Sequence, residues 1–116
     1  MTNKEYFQQA VWLDRQLSSC FKEVSHLQSL GRGDERIAAQ LTEVRAEISR
    51  LIALREEMRK VIDALPERKE QLVLRFRYLH AMKWEDVAVE LDVDVRTARR
   101  WHDAALEHVR IPEKFL

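Results

Sequence analysis

The sequence predicts an all-α fold: a long antiparallel α-helical hairpin of the coiled-coil type, followed by a three-helix helix-turn-helix module. The 116 residues include only two Gly and two Pro, so few positions interrupt a helix. Apolar residues recur at alternating steps of three and four over residues 1–65, which is the spacing of a narrow helical seam. Residues 66–116 are too few for a secure core of their own, so we expect them to dock on the open end of the hairpin.

The first helix of the hairpin is predicted to begin after Thr2. The stretch Thr2-Asn3-Lys4-Glu5 has the Thr and the Glu of a capping box, and no helix breaker follows before Gly31. Its seam positions are Tyr6, Ala10, Leu13, Leu17, Cys20, Val24 and Leu27. Residues 31–34, Gly-Arg-Gly-Asp, predict a turn that ends this helix and offers Asp34 as the next N-cap.

The second helix continues the seam and contains its one charged residue, Arg55. The seam positions are Ile37, Leu41, Val44, Ile48, Leu51, Arg55, Met58, Ile62 and Leu65. A loop this short folds the two helices back antiparallel, which places Arg55 opposite Ala10. We expect the arginine stem to lie over the alanine and its head to reach Asp14 or another acid at the edge.

The open end of the hairpin has more apolar surface than its seam can bury. The surplus residues are Phe7, Val11, Trp12, Leu54 and Val61. We expect the C-terminal segment to cover them, or else a second copy of the chain in a homodimer.

The C-terminal module is predicted to begin at Pro66, in the first position of a helix that runs to about His80. A helix of about eight residues then runs from Trp84 to Leu91. Asp92-Val93-Asp94 makes the turn, Asp94 caps, and the final helix runs from Val95 to about Val109.

The last two helices have the apolar spacing of a helix-turn-helix that reads DNA. The inward positions are Val87, Leu91, Val93, Ala98 and Trp101, and Ala88 is the small residue where the helices cross. Asp92 stands at the turn position usually held by Gly, where aspartate tolerates a left-handed backbone. The outward edge near the start of the final helix carries Val95, Arg96, Thr97, Arg99 and Arg100. These are the candidate DNA-binding residues, because arginine pairs with guanine or neutralises phosphates and Thr97 contacts a phosphate or a thymine methyl.

Net charge does not by itself favour DNA binding. The chain has 20 Lys and Arg against 20 Asp and Glu, and each of the two predicted regions carries ten of each sign. Binding to double-stranded DNA must therefore come from charge that is segregated locally. Three arginines on three phosphates give a slope of log affinity against log salt of about −2.7, so one copy alone is expected to bind weakly.

Four segments of the module together carry a resemblance to a known family. They are Leu72-Val73-Leu74-Arg75-Phe76-Arg77-Tyr78-Leu79, Trp84-Glu85-Asp86-Val87-Ala88, Val95-Arg96-Thr97-Ala98-Arg99-Arg100 and Ala104-Ala105-Leu106. The module resembles region 4 of sigma-70 type factors, which recognises the −35 promoter element. The whole layout resembles small phage proteins of Gram-positive hosts, some of them linked to late-gene transcription. The resemblance implies that Val95, Arg96, Arg99 and Arg100 lie in the major groove, and that RNA polymerase is a partner.

The sequence departs from that pattern at three positions. Lys83 stands where the family often has Ser or Thr as an N-cap, and Asp94 replaces a neutral hydroxyl cap that usually touches phosphate. Val95 stands where sigma factors tend to carry Arg. Asp92 and Asp94 are expected close to the DNA backbone, where they reduce affinity.

The leading hypothesis is a sequence-specific, DNA-binding transcriptional regulator of phage or prophage type. One alternative is a protein-interaction module that docks on a host protein without DNA, through the acidic face Glu85, Asp86, Glu90 and Asp92. Another is a small phage DNA-packaging subunit, which should form a ring that sizing in solution would detect.

Other classes of function are not expected. No nucleophile with a matched base, paired-carboxylate cleft or Gly-rich phosphate loop is present, so we predict neither an enzyme nor a cofactor. His26, His80, His102 and His108 have no metal-ligand spacing and are expected to be partly exposed, and Cys20 is alone. No apolar run is long enough to span a membrane, which predicts a cytoplasmic protein.

Overall fold

The chain folds entirely into helices over the residues that the computed structural model describes, 1–31 and 33–113. These helices are α1 (Asn3–Leu30), α2 (Glu35–Asp63), α3 (Arg68–Leu74), α4 (Trp84–Leu91) and α5 (Val95–His108). A π-helical turn, Arg75–Leu79, continues α3. The all-α prediction is confirmed. None of these helices is long and apolar enough to cross a membrane.

Side-chain caps fix the starts of both long helices where the sequence predicts them. The backbone N–H of Glu5 donates to Thr2 Oγ1 at 3.1 Å, and the Glu5 carboxylate accepts from the Thr2 backbone at 3.3 Å, which completes the capping box. Asp34 Oδ1 accepts from the backbone N–H of Arg36 at 2.9 Å. These bonds satisfy amide groups that have no partner inside a helix. Arg32, in the predicted turn between the helices, lies outside the described residues.

Helices α1 and α2 pack side by side, and their shared seam is most deeply buried at the open end. Leu13, Leu51 and Met58 are buried there, with exposed fractions of 4%, 2% and 2%. Nearer the turn, seam residues such as Ile37 and Leu41 are only partly buried. Leu27 is also buried near the turn, with an exposed fraction of 4%, but most of the deeply buried side chains lie at the open end, where a third layer of helix covers the seam.

That third layer is the C-terminal segment. The Phe7 side chain is fully buried, and its ring centroid lies 5.3 Å from that of Tyr78 in the π-helical turn. Asn3 Nδ2 donates to the backbone carbonyls of Leu106 at 2.7 Å and Val109 at 3.2 Å, which joins the start of α1 to the end of α5. One hydrophobic core therefore runs through both parts of the chain.

The predicted apolar surplus is covered only in part. Phe7 is buried and Val61 is partly buried. Val11, Trp12 and Leu54 keep exposed fractions of 45%, 53% and 38%.

Arg55 takes a different partner from the predicted one. Its Nη2 donates to the backbone carbonyl of Leu79 at 3.1 Å, rather than to Asp14. Leu79 ends the π-helical turn, where a carbonyl has no helical N–H to accept from, so the guanidinium satisfies it. The guanidinium of Arg55 therefore binds the docked C-terminal segment.

The connection into the C-terminal segment also differs from the prediction. Pro66 is not the first helical residue, since α3 begins at Arg68 and the extended Glu67 is its N-cap. The helix then changes pitch at its end: the backbone N–H of His80 donates to the Arg75 carbonyl at 3.1 Å, a five-residue step. Ala81 follows with a left-handed φ of 53° and redirects the chain towards α4.

Candidate nucleic-acid interface

The turn between α4 and α5 has the backbone that the sequence predicts. Asp92 adopts a left-handed conformation, φ 54° and ψ 46°, and ends α4. The next amide, Val93 N–H, donates back to the Ala88 carbonyl at 3.0 Å. Ala88 and Ala98 are buried, with exposed fractions of 4% and 0%, so the two helices meet through small residues. This packing fixes which side of α5 faces outward.

Asp94 caps the start of α5. Its Oδ1 accepts from the backbone N–H of Thr97 at 2.7 Å. Hydrogen bonding to Thr97 lowers the pKa of Asp94, and the nearby charges of Arg100 and Arg96 lower it further. The carboxylate therefore stays ionised at the helix N-terminus, where it offsets part of the arginines' positive charge.

The candidate reading residues gather around a shallow concavity on the outward side of α5. Val95, Arg96, Arg99 and Arg100 line it, together with Asp103. The three arginines are exposed. Val95 is partly buried against the core, and Thr97 is also partly buried, with its amide occupied by Asp94.

The exposed arginines of α5 differ in their ion pairing from those of α2. Among the residues described, none of the three takes part in an ion pair, whereas Arg50 and Arg59 on α2 are each bound to nearby acids. A guanidinium without an ion pair can bind a base edge or a phosphate without first breaking a salt bridge.

Trp84 lies between two arginines, which the sequence did not indicate. The guanidinium carbons of Arg77 and Arg99 are each 5.0 Å from the centre of the Trp84 ring. This distance is within the range of cation–π attraction. The tryptophan is partly buried against the core, and it holds Arg99 of α5 beside a second cation from the π-helical turn.

A buried hydrogen-bonded chain supports this side of α5. His102, 6% exposed, bonds through Nε2 to the Tyr78 hydroxyl at 2.6 Å and through Nδ1 to Asp103 Oδ1 at 3.0 Å. An ionised carboxylate only accepts, so Nδ1 carries the proton and Nε2 accepts from Tyr78. Burial is the main reason that the pKa of His102 is lowered. The prediction of a partly exposed His102 was wrong, because the docked π-helical turn covers it.

A second surface, on α4, is acidic and partly apolar. Glu85, Asp86, Glu90 and Asp92 are all exposed, as the sequence predicts, and Val89 among them is 76% exposed. Lys83 precedes the helix without a side-chain cap, so the acids of the first turn favourably face the helix N-terminus. In the part of the chain that the structure describes, no three His, Cys, Asp or Glu side chains form a metal site.

Comparison with known proteins gives one match. A family model described as "Protein of unknown function (DUF722)" matches residues 24–110, which include the end of α1 and all of α2 to α5. No curated protein and no solved structure matches the chain.

Proposed function

We propose that this protein, which belongs to the DUF722 family, is a sequence-specific DNA-binding regulator of transcription of phage or prophage type. In this proposal α5 enters the major groove of double-stranded DNA. The observation that best supports it is that Arg96, Arg99 and Arg100 are exposed on the outward side of a capped helix. Among the described residues, none of the three has an acid partner.

The geometry of the groove supports these roles. A major groove about 12 Å wide admits an α-helix, and the N-terminal part of a recognition helix contacts the base edges. Arg96, Arg99 and Arg100 all lie in the first two turns of α5. Each arginine fork can donate to guanine O6 and N7 together, which gives sequence preference as well as affinity.

Local acids limit the strength of the site. Asp92 and Asp94 precede the arginines and are exposed. With three arginines against these two acids and Asp103, which lines the same concavity, a single module neutralises few phosphates, so its affinity depends on further contacts. RNA polymerase and a second copy of the chain are the partners that we propose for this purpose.

The test is a titration of fluorescent random-sequence duplex with the full chain at two salt concentrations. We expect binding at low salt that weakens as salt is added. Changing Arg99→Ala and Arg100→Ala together removes two positive charges, so the slope of log affinity against log salt should decrease in magnitude by about 1.8 if both charges neutralise phosphates.

A matched control removes two other arginine or lysine charges. Arg45→Ala with Lys60→Ala acts at exposed positions of α2 and should leave the slope unchanged. Absence of binding by the unmodified chain at low salt contradicts the proposal. Equal binding by the Arg99 and Arg100 double variant contradicts it as well.

A second candidate function is docking on a protein partner through α4. It is favoured by the exposed Val89, with Glu85 and Asp86 one helical turn before it on the same surface. An exposed apolar side chain ringed by acids suits a basic protein surface with an apolar pocket. If Val89→Lys abolishes binding to a host protein while duplex binding persists, the two surfaces have separate partners.

A further inference from the structure

We propose that phosphates of the DNA backbone, next to the segment read by α5, bind a basic stripe on α1. The α1 stripe consists of Lys4, Arg15 and Lys22, and all three side chains are exposed. The inference rests on the proposed function, because it extends the same DNA contact from the C-terminal module onto the hairpin.

Helical geometry places the three residues on one face. They are separated by eleven and seven residues, and at 3.6 residues per turn their directions around α1 agree within about 20°. From Lys4 to Lys22 the stripe spans about 27 Å along the helix axis. Gln8, Ser18 and Ser25, which lie along the same side of α1, carry no charge.

No acid interrupts this face. The acids of α1 are Glu5, Asp14 and Glu23, and each points about 80° or more away from the stripe. Within the chain as described, Lys4, Arg15 and Lys22 take part in no ion pair. Arg50 and Arg59 of α2, by contrast, are bound to acids one turn away. The α1 stripe is therefore an uncompensated row of positive charge.

The Lys4 end of the α1 stripe lies beside α5. Lys4, Gln8 and Val11 line a cleft together with Arg77 and Arg99. Lys4 is close enough to His102 for its charge to disfavour protonation of that ring. Asp103, the acid in this cleft, accepts from His102 through Oδ1 and its side chain is 77% exposed, so the cleft combines the charges of Lys4, Arg77 and Arg99 with one carboxylate and remains positive.

Because the C-terminal module docks on the hairpin, one duplex can contact both α5 and the α1 stripe. A duplex held by Arg99 at the cleft has its flanking backbone next to Lys4, and the stripe then follows α1 away from the module. Its length of about 27 Å is comparable to one turn of B-DNA, about 34 Å. Three added phosphate contacts would change the salt slope from about −2.7 to about −5.4, which offsets the weak charge of the module alone.

The test compares three forms of the full chain by titration of a duplex of about 30 base pairs over a range of salt. The stripe variant carries Lys4→Gln, Arg15→Gln and Lys22→Gln, which keep helix-forming side chains at exposed positions. The control variant carries Arg45→Gln, Lys60→Gln and Arg110→Gln, which removes the same formal charge from other exposed positions. Thermal unfolding followed by circular dichroism verifies that all three forms are folded.

We expect the stripe variant to lose about 2.7 from the magnitude of the salt slope, and the control to keep the original slope. An unchanged salt slope in the stripe variant overturns the inference. If the double variant Arg99→Ala and Arg100→Ala nevertheless loses binding, the proposed function stands without the α1 stripe. Equal losses in the stripe variant and the control also overturn it, since net charge alone then accounts for the effect. If the unmodified chain binds no duplex at low salt, the inference and the proposed function fail together.

Discussion

Asp92 has two separable roles at the turn before α5. Its backbone takes the left-handed conformation that lets α4 end and α5 begin, which Asn and Gly adopt at least as readily. Its carboxylate, however, is exposed on the side where DNA is proposed to lie. The conformation favours folding, whereas the charge opposes binding of a polyanion.

Replacing Asp92→Asn should therefore separate these roles. We expect the thermal stability to change little and the affinity for duplex to rise roughly threefold at low salt, since removing a charge about 7 Å from a phosphate in water contributes about 0.6 kcal/mol. The titration of fluorescent duplex measures this change. Glu107→Gln, at an exposed position far along α5, is the control and should bind like the unmodified chain. Weaker binding by the Asp92→Asn variant would count against DNA lying at this turn.

Two histidines of α5 respond to pH in opposite directions. His108 Nδ1 donates to the Glu70 carboxylate at 2.8 Å, and this hydrogen bond raises the pKa of His108 above its ordinary value of 6.5. Burial lowers the pKa of His102 below 6.5. His108 therefore stabilises the fold below pH 6.5 and loses this contribution as the pH rises through its folded pKa. His102 stabilises the fold above pH 6.5 and loses its contribution as the pH falls through its folded pKa.

Urea unfolding of two variants over about pH 5 to 8.5 tests these opposite signs. The loss of unfolding free energy caused by His108→Gln should be larger at the acid end. The loss caused by His102→Gln should be larger at the alkaline end. Parallel pH profiles for the two variants would show that the contacts of His108 with Glu70, or of His102 with Tyr78, do not persist in solution.

Among the elements, the joint between α3 and α4 has the least favourable backbone. Ala81 has a φ of 53°, a region that costs a residue with a Cβ atom about 1 to 2 kcal/mol. Ala81 comes just after the π-helical turn. In that turn the His80 N–H donates to the carbonyl of Arg75, five residues earlier, and Arg55 binds the Leu79 carbonyl, so the chain leaves the line of α3. The strain is retained because the helices on both sides are fixed by the core.

Changing Ala81→Gly should stabilise the protein by about 0.5 to 1 kcal/mol, since relief of the left-handed strain exceeds the extra entropy of glycine in the unfolded chain. Urea unfolding at neutral pH measures the difference. Ala53→Gly, at an exposed position inside α2, should have the opposite sign and destabilise by about 1 kcal/mol. A destabilising Ala81→Gly would mean that this residue does not occupy the left-handed region.

The elements that the sequence predicts well are those whose limits depend on nearby residues. Thr2, Asp34 and Asp94 each cap a helix through an amide two or three residues away, so their roles are visible in the sequence. The start of α3 was predicted two residues early, because proline at the first helical position is a preference and not a requirement.

The features that the sequence did not indicate depend on the docking of distant segments. The burial of His102 and the position of Trp84 between two arginines both require the π-helical turn to lie against α5. Arg55 likewise turns towards a carbonyl 24 residues away in the chain. The five candidate DNA-binding residues were predicted from helical periodicity and from the resemblance to sigma region 4, but Lys4 and Arg77 come near Arg99 only in three dimensions.

At the scale of the whole molecule, the hairpin and the C-terminal segment share one core. Phe7 of α1 and Tyr78 of the π-helical turn are both buried in it, and Asn3 joins α1 to the end of α5. Because the core fixes how the two parts lie, the outward arginines of α5 and the α1 stripe keep a constant relative position. We therefore propose DNA as a ligand of the whole chain, with sequence preference supplied by α5.

Selection from a pool of duplexes with randomised sequence tests whether α5 reads DNA sequence. We predict that the full chain recovers a short motif that contains guanine, and that a duplex with this motif binds about a hundredfold more tightly than a scrambled copy, as two bidentate arginine–guanine pairs would give. Arg99→Lys with Arg100→Lys should keep the salt slope and lose this preference, because lysine lacks the planar fork. Recovery of no motif, or equal affinity for the selected and scrambled duplexes, would contradict the account.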